Sequence, residues 1–184
     1  MFFKAALVFS LVVSSFAYPH HHHHHHPRNV KAKRGVLSVQ NYSEFQVSDG
    51  PAGNAFARVN EKFPIDLTNP AAVDAEDLAI LKAARKTAEA AETKTGGFNE
   101  AIEAAGGKNT AAGQALQCGK IANKVLKLQL QVMILTIENA QGKNRTEKLA
   151  QQQAKLEKNV ALDQEAGAQG LVCSSVDFQG TSEP

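Results

Sequence analysis

The chain has 184 residues with 20 basic and 18 acidic side chains, so its net charge is only +2 when the histidines are neutral. The length suits one domain. A hydrophobic share of 43% and a charged share of 21% exclude a disordered or collagen-like chain. So small a net charge gives no support for a nucleic-acid partner, because phosphate backbones are bound by clustered cations.

The first residues have the pattern of a secretory signal peptide. Lys4 supplies the positive start, residues 5–13 form a short apolar run, and small residues precede a cleavage point after Ala17. The run is far shorter than the roughly 20 residues that span a bilayer. We predict that residues 1–17 are removed, that the chain has no transmembrane segment, and that the product is secreted, either extracellular or in the cell wall.

Seven consecutive histidines follow, and two interpretations of them remain open. The run is either an expression tag or a natural His-rich pro-segment. Neutral imidazoles can weakly chelate Zn, Cu or Ni, but an unbroken run has no spacing that fixes a coordination geometry. The residues concerned are His20, His21, His22, His23, His24, His25 and His26.

A dibasic pair, Lys33 and Arg34, separates the histidine run from the first patterned sequence. Such pairs are typical targets of kexin-type processing proteases, and the alternative is a solvated basic patch. We predict that residues 18–34 form a pro-segment and that the mature chain starts at Gly35. Processing removes five basic residues and no acidic one, which leaves 15 basic and 18 acidic residues and a net charge of −3.

The predicted mature chain contains no histidine. It can therefore build neither a Ser–His–Asp triad nor a His-ligated zinc site. We predict no enzymatic activity, no catalytic residue, no metal site and no cofactor. Carboxylates remain as candidates for acid–base chemistry, at Asp74, Glu76 and Asp77 or at Glu100 and Glu103, although helix capping and the helix dipole are sufficient to explain them.

The mature chain has the pattern of an all-α fold with an N-terminal extended arm. Residues 36–47 alternate loosely, which predicts a strand or an extended arm packed on helices. Pro51 suits the first position of a helix over residues 52–62. Acidic residues from Asp74 onward predict the start of a longer helix, and a short helix over residues 99–105 follows.

Thr110 opens the longest predicted helix, which continues without proline for about thirty residues. Two adjacent apolar stripes at spacings of three and four place this helix in the middle of a bundle. Asn144 followed by Glu147 predicts a capping box at the start of a second long helix. A short connection implies an antiparallel pair. We predict a helical bundle built on a long antiparallel helical hairpin, in a domain of residues 35–170.

The two cysteines, Cys118 and Cys173, are predicted to form a disulfide. An even count in a secreted chain favours a bridge, and an antiparallel hairpin brings the end of the second helix back to the start of the first. The alternative is two free buried thiols. We expect the C-terminal tail, residues 171–184, to be tethered by Cys173 and to fray at its end.

Two N-glycosylation sequons are present, N-Y-S at Asn41 and N-R-T at Asn144. Asn144 lies at the predicted hairpin tip and is therefore expected to be exposed. If Asn144 also caps a helix, the glycan and the cap require the same side-chain amide.

Four stretches of sequence resemble a group of small secreted proteins of filamentous ascomycete fungi. They are KRGVLSVQNYSEFQVSDG at residues 33–50, KFPID at 62–66, DLAILKAARKTAEAAE at 77–92 and GKIANKVLKLQLQV at 119–132. The likeness covers most of the mature chain and includes the dibasic junction. Such proteins are cell-wall-associated or effector-like, so the resemblance implies a compartment and a lineage, and no particular activity.

The leading hypothesis is a non-enzymatic, effector-like fungal protein that binds at the cell wall or the host surface. Its partner is expected to be a cell-wall component or a host protein, and not nucleic acid. The alternative is a carrier of a small apolar ligand, such as a lipid, between helices, since Ala-lined bundles can leave cavities.

Overall fold

The computed structural model describes residues 35–184, which fold mainly into α-helices. Two-residue strands, β1 (Gly50–Pro51) and β2 (Val172–Cys173), pair antiparallel, and a 3₁₀ turn covers Pro70–Ala72. The prediction of a mostly helical fold is confirmed. The helices are α1 (Tyr42–Phe45), α2 (Ala55–Lys62), α3 (Ala75–Thr93), α4 (Phe98–Ala104), α5 (Ala111–Ala140) and α6 (Thr146–Ala168). None of these helices is long and apolar enough to cross a membrane.

Helix α5 contributes more buried apolar side chains to the core than any other helix in the described residues, as its two apolar stripes require. Its side chains pack against the alanine-rich face of α3 and against α2, α4 and α6. Small side chains on α3 allow the two helix backbones to approach closely. The completely buried apolar side chains of these two helices are Val125, Leu126, Leu130 and Ile137 on α5 and Leu81, Ala84, Ala88 and Ala91 on α3.

Residues 36–47 have an alternating pattern that allowed a strand, but the structure forms a short helix within them. Residues 42–45 form α1, because one helical turn places Tyr42 and Phe45 together in the core, where their rings meet edge to face with centroids 5.5 Å apart. Pro51 was expected to open a helix, but it belongs to β1 and pairs with Val172. The helix α2 begins only at Ala55.

Two of the predicted helix starts are confirmed by their caps. The Asp74 side chain accepts a hydrogen bond from the Glu76 backbone N–H at 2.8 Å, which caps α3. The Thr110 hydroxyl accepts one from the Gly113 backbone N–H at 3.0 Å, which caps α5. Both satisfy N–H groups that have no partner inside the helix.

The capping box predicted at Asn144 is wrong. The residue that precedes α6 is Arg145, and no side chain caps it. The Asn139 side chain, at the end of α5, accepts a hydrogen bond from the Arg145 N–H at 3.1 Å. Because Asn139 fixes this turn, the Asn144 amide has no capping role that would compete with a glycan.

The predicted disulfide is confirmed. Cys118 on α5 and Cys173 in β2 are bonded, with their Cα atoms 4.9 Å apart. Beside the bridge, α5 passes so close to two other segments that an added Cβ at Gly119 would lie 2.7 Å from the Ser48 carbonyl oxygen and nearer still to the Ser174 carbonyl oxygen. Only glycine allows this approach.

The end of the chain does not fray. Ser182 is 1% exposed, and it exchanges two hydrogen bonds with Gln40: its hydroxyl accepts from the Gln40 N–H, and its own N–H donates to the Gln40 carbonyl, both at 2.9 Å. The Tyr42 N–H donates to the Gly180 carbonyl at 2.8 Å. These pairings show that the expectation of a frayed tail is wrong. The sequence near residue 182 did not indicate them, because the partners lie far away in the chain.

Candidate binding surfaces

A groove lined by basic side chains lies over the α3–α5 packing seam near the connection between α5 and α6. We call it the cationic groove. Its volume is about 330 Å³. Its floor comes from Gln131, Ile134, Leu135 and Glu138 of α5, and its walls from Lys82, Arg85 and Lys86 of α3 together with Arg145 and Lys148.

Glu138, the one carboxylate among the described residues that line the groove, is buried and lies close to three cations. Its carboxylate oxygens lie 2.6 Å from the Lys82 Nζ, 3.2 Å from the Lys143 Nζ and 3.3 Å from the Arg145 Nε. The hydrogen bond from Lys82, together with the charges of Lys82 and Lys143, holds the pKa of Glu138 below its usual range despite burial. Glu138 is therefore an anion that fixes part of the basic wall in place.

The groove keeps an excess of positive charge beyond the Glu138 network. Lys86 and Lys148 are exposed, and neither has an ion pair with any residue in the described part of the chain. Within residues 35–184, the ion pair of Arg85 is a long one, to the half-buried Glu89 at 3.9 Å. Glu183 lies in an adjoining cavity lined also by Lys86. Even with these acids, the groove is a local cationic site on a surface that is acidic on average.

The charges farther along the same seam are, by contrast, paired. Lys127 lies 2.6 Å from Glu92 and 3.3 Å from Glu89, and Lys124 lies 3.5 Å from Glu92. Burial alone would raise the pKa of Glu92, but the hydrogen bond and charge of Lys127 lower it. Along this seam, therefore, the cations next to Glu89 and Glu92 are ion-paired, whereas Lys86 in the groove is not.

A second groove is apolar and lies between α2, α5 and α6. Its volume is about 420 Å³. Phe56 at its mouth is 40% exposed, whereas Leu156 at its base is buried. The apolar lining consists of Phe56, Val132, Leu156 and Val160, and the polar lining of Gln129, Gln153 and Glu157.

Among the described residues, the structure bonds the predicted pair Cys118 and Cys173 and places two of the candidate carboxylates, Asp74 and Asp77, at one cavity. Asn144 is exposed in the connection between α5 and α6, next to Arg145 of the cationic groove, and Asn41 is exposed immediately before α1. Ala17, Lys33, Arg34 and the histidine run lie outside the described residues.

Three of the five candidate acid–base carboxylates have structural partners, and Glu76 and Glu103 are the other two. Asp74 caps α3, the Glu100 carboxylate accepts a hydrogen bond from the Gly96 N–H at 2.8 Å, and Asp77 accepts two backbone N–H groups. Within residues 35–184, no group of three His, Cys, Asp or Glu side chains is placed to hold a metal ion.

The sequence patterns predicted neither the cationic groove nor the apolar groove. The basic wall joins Lys86 to Lys148, residues that are far apart in the chain, and the packing of α3 and α6 on α5 brings them together. The basic residues of the groove wall are visible in the sequence of α3 and α6. Basic residues are typical of any solvated helix face, however, so they do not by themselves indicate a groove.

A family model described as a domain of unknown function (DUF8454) matches residues 37–174. The chain belongs to this family. The DUF8454 match starts two residues after Gly35 and ends one residue after Cys173, so it contains α1 to α6 and the disulfide. No curated protein matches the chain significantly, and no solved structure does so either.

Proposed function

We propose that this protein is a secreted, non-enzymatic, effector-like protein of a filamentous ascomycete fungus that binds acidic groups at the cell wall or the host surface. Cleavage after Ala17 and after the Lys33–Arg34 pair releases residues 35–184. The released domain is a bundle built on the antiparallel hairpin of α5 and α6, with an N-terminal extended arm. The resemblance to small secreted fungal proteins and the disulfide support the extracellular compartment.

The cationic groove carries this proposal. Lys86 and Lys148 have no ion pair within residues 35–184, and Lys82 and Arg145 are oriented by the buried Glu138. Oriented cations lose less side-chain entropy when they bind a carboxylate or phosphate group. A groove open at the surface fits one edge of a polymer better than it fits an enclosed small molecule. We therefore propose an acidic cell-wall polysaccharide or an acidic patch on a host protein as the partner.

The first prediction concerns the unpaired cations. Replacing Lys86→Ala and Lys148→Ala together is expected to weaken binding to polygalacturonate about tenfold, since each exposed charge contributes up to about 1 kcal/mol. Binding is expected to fall further as salt screens the charges. Calorimetric titration of the secreted protein at two salt concentrations measures both effects. Neither lysine pairs with Glu138, so the fold should be retained.

The matched control is the pair Lys94→Ala and Lys158→Ala, which removes the same charge from exposed positions outside the groove. An equal loss in the control would mean that net charge alone drives binding. Equally tight binding to duplex DNA would contradict an acidic-polysaccharide partner, and turnover of polysaccharide, peptide or ester substrates by the pure protein would contradict a non-enzymatic role.

A second candidate function is transport of a small apolar ligand such as a lipid. The observation that favours it is the apolar groove, whose opening at Phe56 leads to the buried Leu156. A groove of this size with three polar side chains among its lining can hold an acyl chain and orient its head group.

The second prediction tests this candidate. Phe56→Ala is expected to weaken binding of a fluorescent fatty acid about tenfold, because a large part of the apolar contact at the mouth is lost. Leu162→Ala is the control, since Leu162 is 39% exposed, close to the 40% of Phe56, and does not line the groove. Fluorescence titration measures both. The absence of saturable binding, or an equal effect of the control, would remove the carrier hypothesis.

A further inference from the structure

A buried carboxylate holds the first described residues of the chain. Asp77, on the first turn of α3, is 4% exposed. Its Oδ2 accepts a hydrogen bond from the Val36 N–H at 3.0 Å, and its Oδ1 accepts one from the Leu37 N–H at 2.8 Å. An ionised carboxylate can accept about four hydrogen bonds. Asp77 therefore has acceptor positions left over, next to residue 35.

Gly35 lies against the same carboxylate. A Cβ atom added there would lie 2.5 Å from the Asp77 Oδ1 and 2.9 Å from its Cγ. With a Cα–Cβ bond of about 1.5 Å, the Gly35 Cα is within about 4 Å of Oδ1. The absence of a side chain is what allows the backbone of residue 35 to come this close.

The surroundings of Asp77 are acidic. A cavity of about 160 Å³ beside Val36 is lined by Asp77 and by two more carboxylates, Asp66 and Asp74. No Lys or Arg is among the described residues that line it. A buried carboxylate that gains a cationic partner with hydrogen bonds is stabilised, whereas one without a cation bears the cost of desolvation.

We propose that Asp77 is the binding site for a new N-terminus created by proteolysis between Arg34 and Gly35. An endoprotease that cleaves after dibasic pairs adds water across this peptide bond, which leaves a carboxylate on Arg34 and an α-amine on Gly35 that takes up a proton. The resulting ammonium binds the Asp77 carboxylate. Maturation thereby replaces a neutral amide beside Asp77 with a cation that the acidic cavity favours.

This inference depends on the processing step of the proposed function, but not on either groove. The consequence extends beyond Asp77, because Gln40, a few residues farther along the same segment, pairs with Ser182. Fixing residue 35 therefore also orders the segment against which the C-terminal residues pack.

The experiment compares cleaved and uncleaved protein. The full secreted chain is purified with the double substitution Lys33→Ala and Arg34→Ala, which blocks cleavage, and the unsubstituted chain is cut with a purified kexin-type protease. Cleavage is expected to raise Tm by about 3–10 °C, as a charge-assisted hydrogen bond should in a domain of this size. In the Asp77→Asn background the same cleavage is expected to change Tm by less than about 1 °C.

Asp74→Asn is the matched control. It removes a carboxylate from the same cavity, and asparagine caps α3 as well as aspartate does, so the increase in Tm on cleavage should persist. A measurement that needs no variant is acylation of the Gly35 α-amine, which should be at least tenfold slower in the folded cleaved protein than in urea.

The experiment distinguishes failure of the processing step from failure of the Asp77 ion pair. If N-terminal sequencing of the native secreted protein, or treatment with the protease, finds no cut after Arg34, the processing step and this inference both fail. If cleavage occurs but leaves Tm unchanged, raises it equally in Asp77→Asn, or leaves the α-amine fully reactive, the Asp77 ion pair is wrong while the processing step stands.

Discussion

Loss of the Cys118–Cys173 bridge is expected to lower the free energy of unfolding by about 4 kcal/mol. The two cysteines are 55 residues apart, and chain-entropy theory gives this value for closing a loop of that length in the unfolded state. For a domain of this size the change corresponds to a Tm decrease of about 8–16 °C. Thermal unfolding of the double variant Cys118→Ser and Cys173→Ser, followed by circular dichroism, measures it.

Reductant provides the control, because it should destabilise the native protein and leave the double variant unaffected. The effect should also be local. The N–H of Ser174 donates to the Ala115 carbonyl at 2.9 Å, and β2 pairs with β1 beside the bridge. Amide exchange should therefore accelerate around residues 172–174 in the variant. A loss below about 1 kcal/mol would show that tail packing holds these segments without the bridge.

Replacing Asn123→Ala is expected to cost about 3 kcal/mol, although the residue lies in the core and has no role in either groove. Asn123 is completely buried on α5. Its Oδ1 accepts a hydrogen bond from the Tyr42 hydroxyl at 2.9 Å, and its Nδ2 donates to the Ala88 carbonyl at 2.8 Å. Truncation leaves the buried Tyr42 hydroxyl without its acceptor and creates a cavity.

A double-mutant cycle with Tyr42→Phe separates the hydrogen bond from the packing. Because each single substitution leaves the other partner unsatisfied, the Tyr42→Phe and Asn123→Ala pair should cost less than the sum of the two, by about 1 kcal/mol. Urea unfolding measures all three variants. Strict additivity would contradict a direct hydrogen bond between the two side chains.

Sequence patterns predicted a structural feature correctly where that feature depends on residues close together in the chain. The caps at Asp74 and Thr110 need only a side-chain oxygen two or three positions before a free N–H, and both form. The apolar stripes of α5 likewise follow from helical spacing, which the sequence displays directly. The same reasoning failed at Asn144, because the turn before α6 is fixed by Asn139 of the preceding helix.

Features that depend on distant residues could not be predicted. Pro51 pairs in β1 because Val172 lies opposite, and no pattern near residue 51 indicates this. The acidic start of α3 was explained by capping alone, yet Asp77 points inward and binds Val36 and Leu37. The sequence thus supplied the fold class and the disulfide, while both grooves and the site at Asp77 required the three-dimensional arrangement.

The pairing of Gln40 with Ser182 constrains how the chain can assemble during synthesis. The two residues are 142 positions apart, so the partner of the first segment is synthesised long after that segment. The helices α3 and α5 can pack on each other earlier, but the first segment cannot reach its final position until translation has passed residue 182. Completion of this domain is therefore a step that follows translation of residue 182.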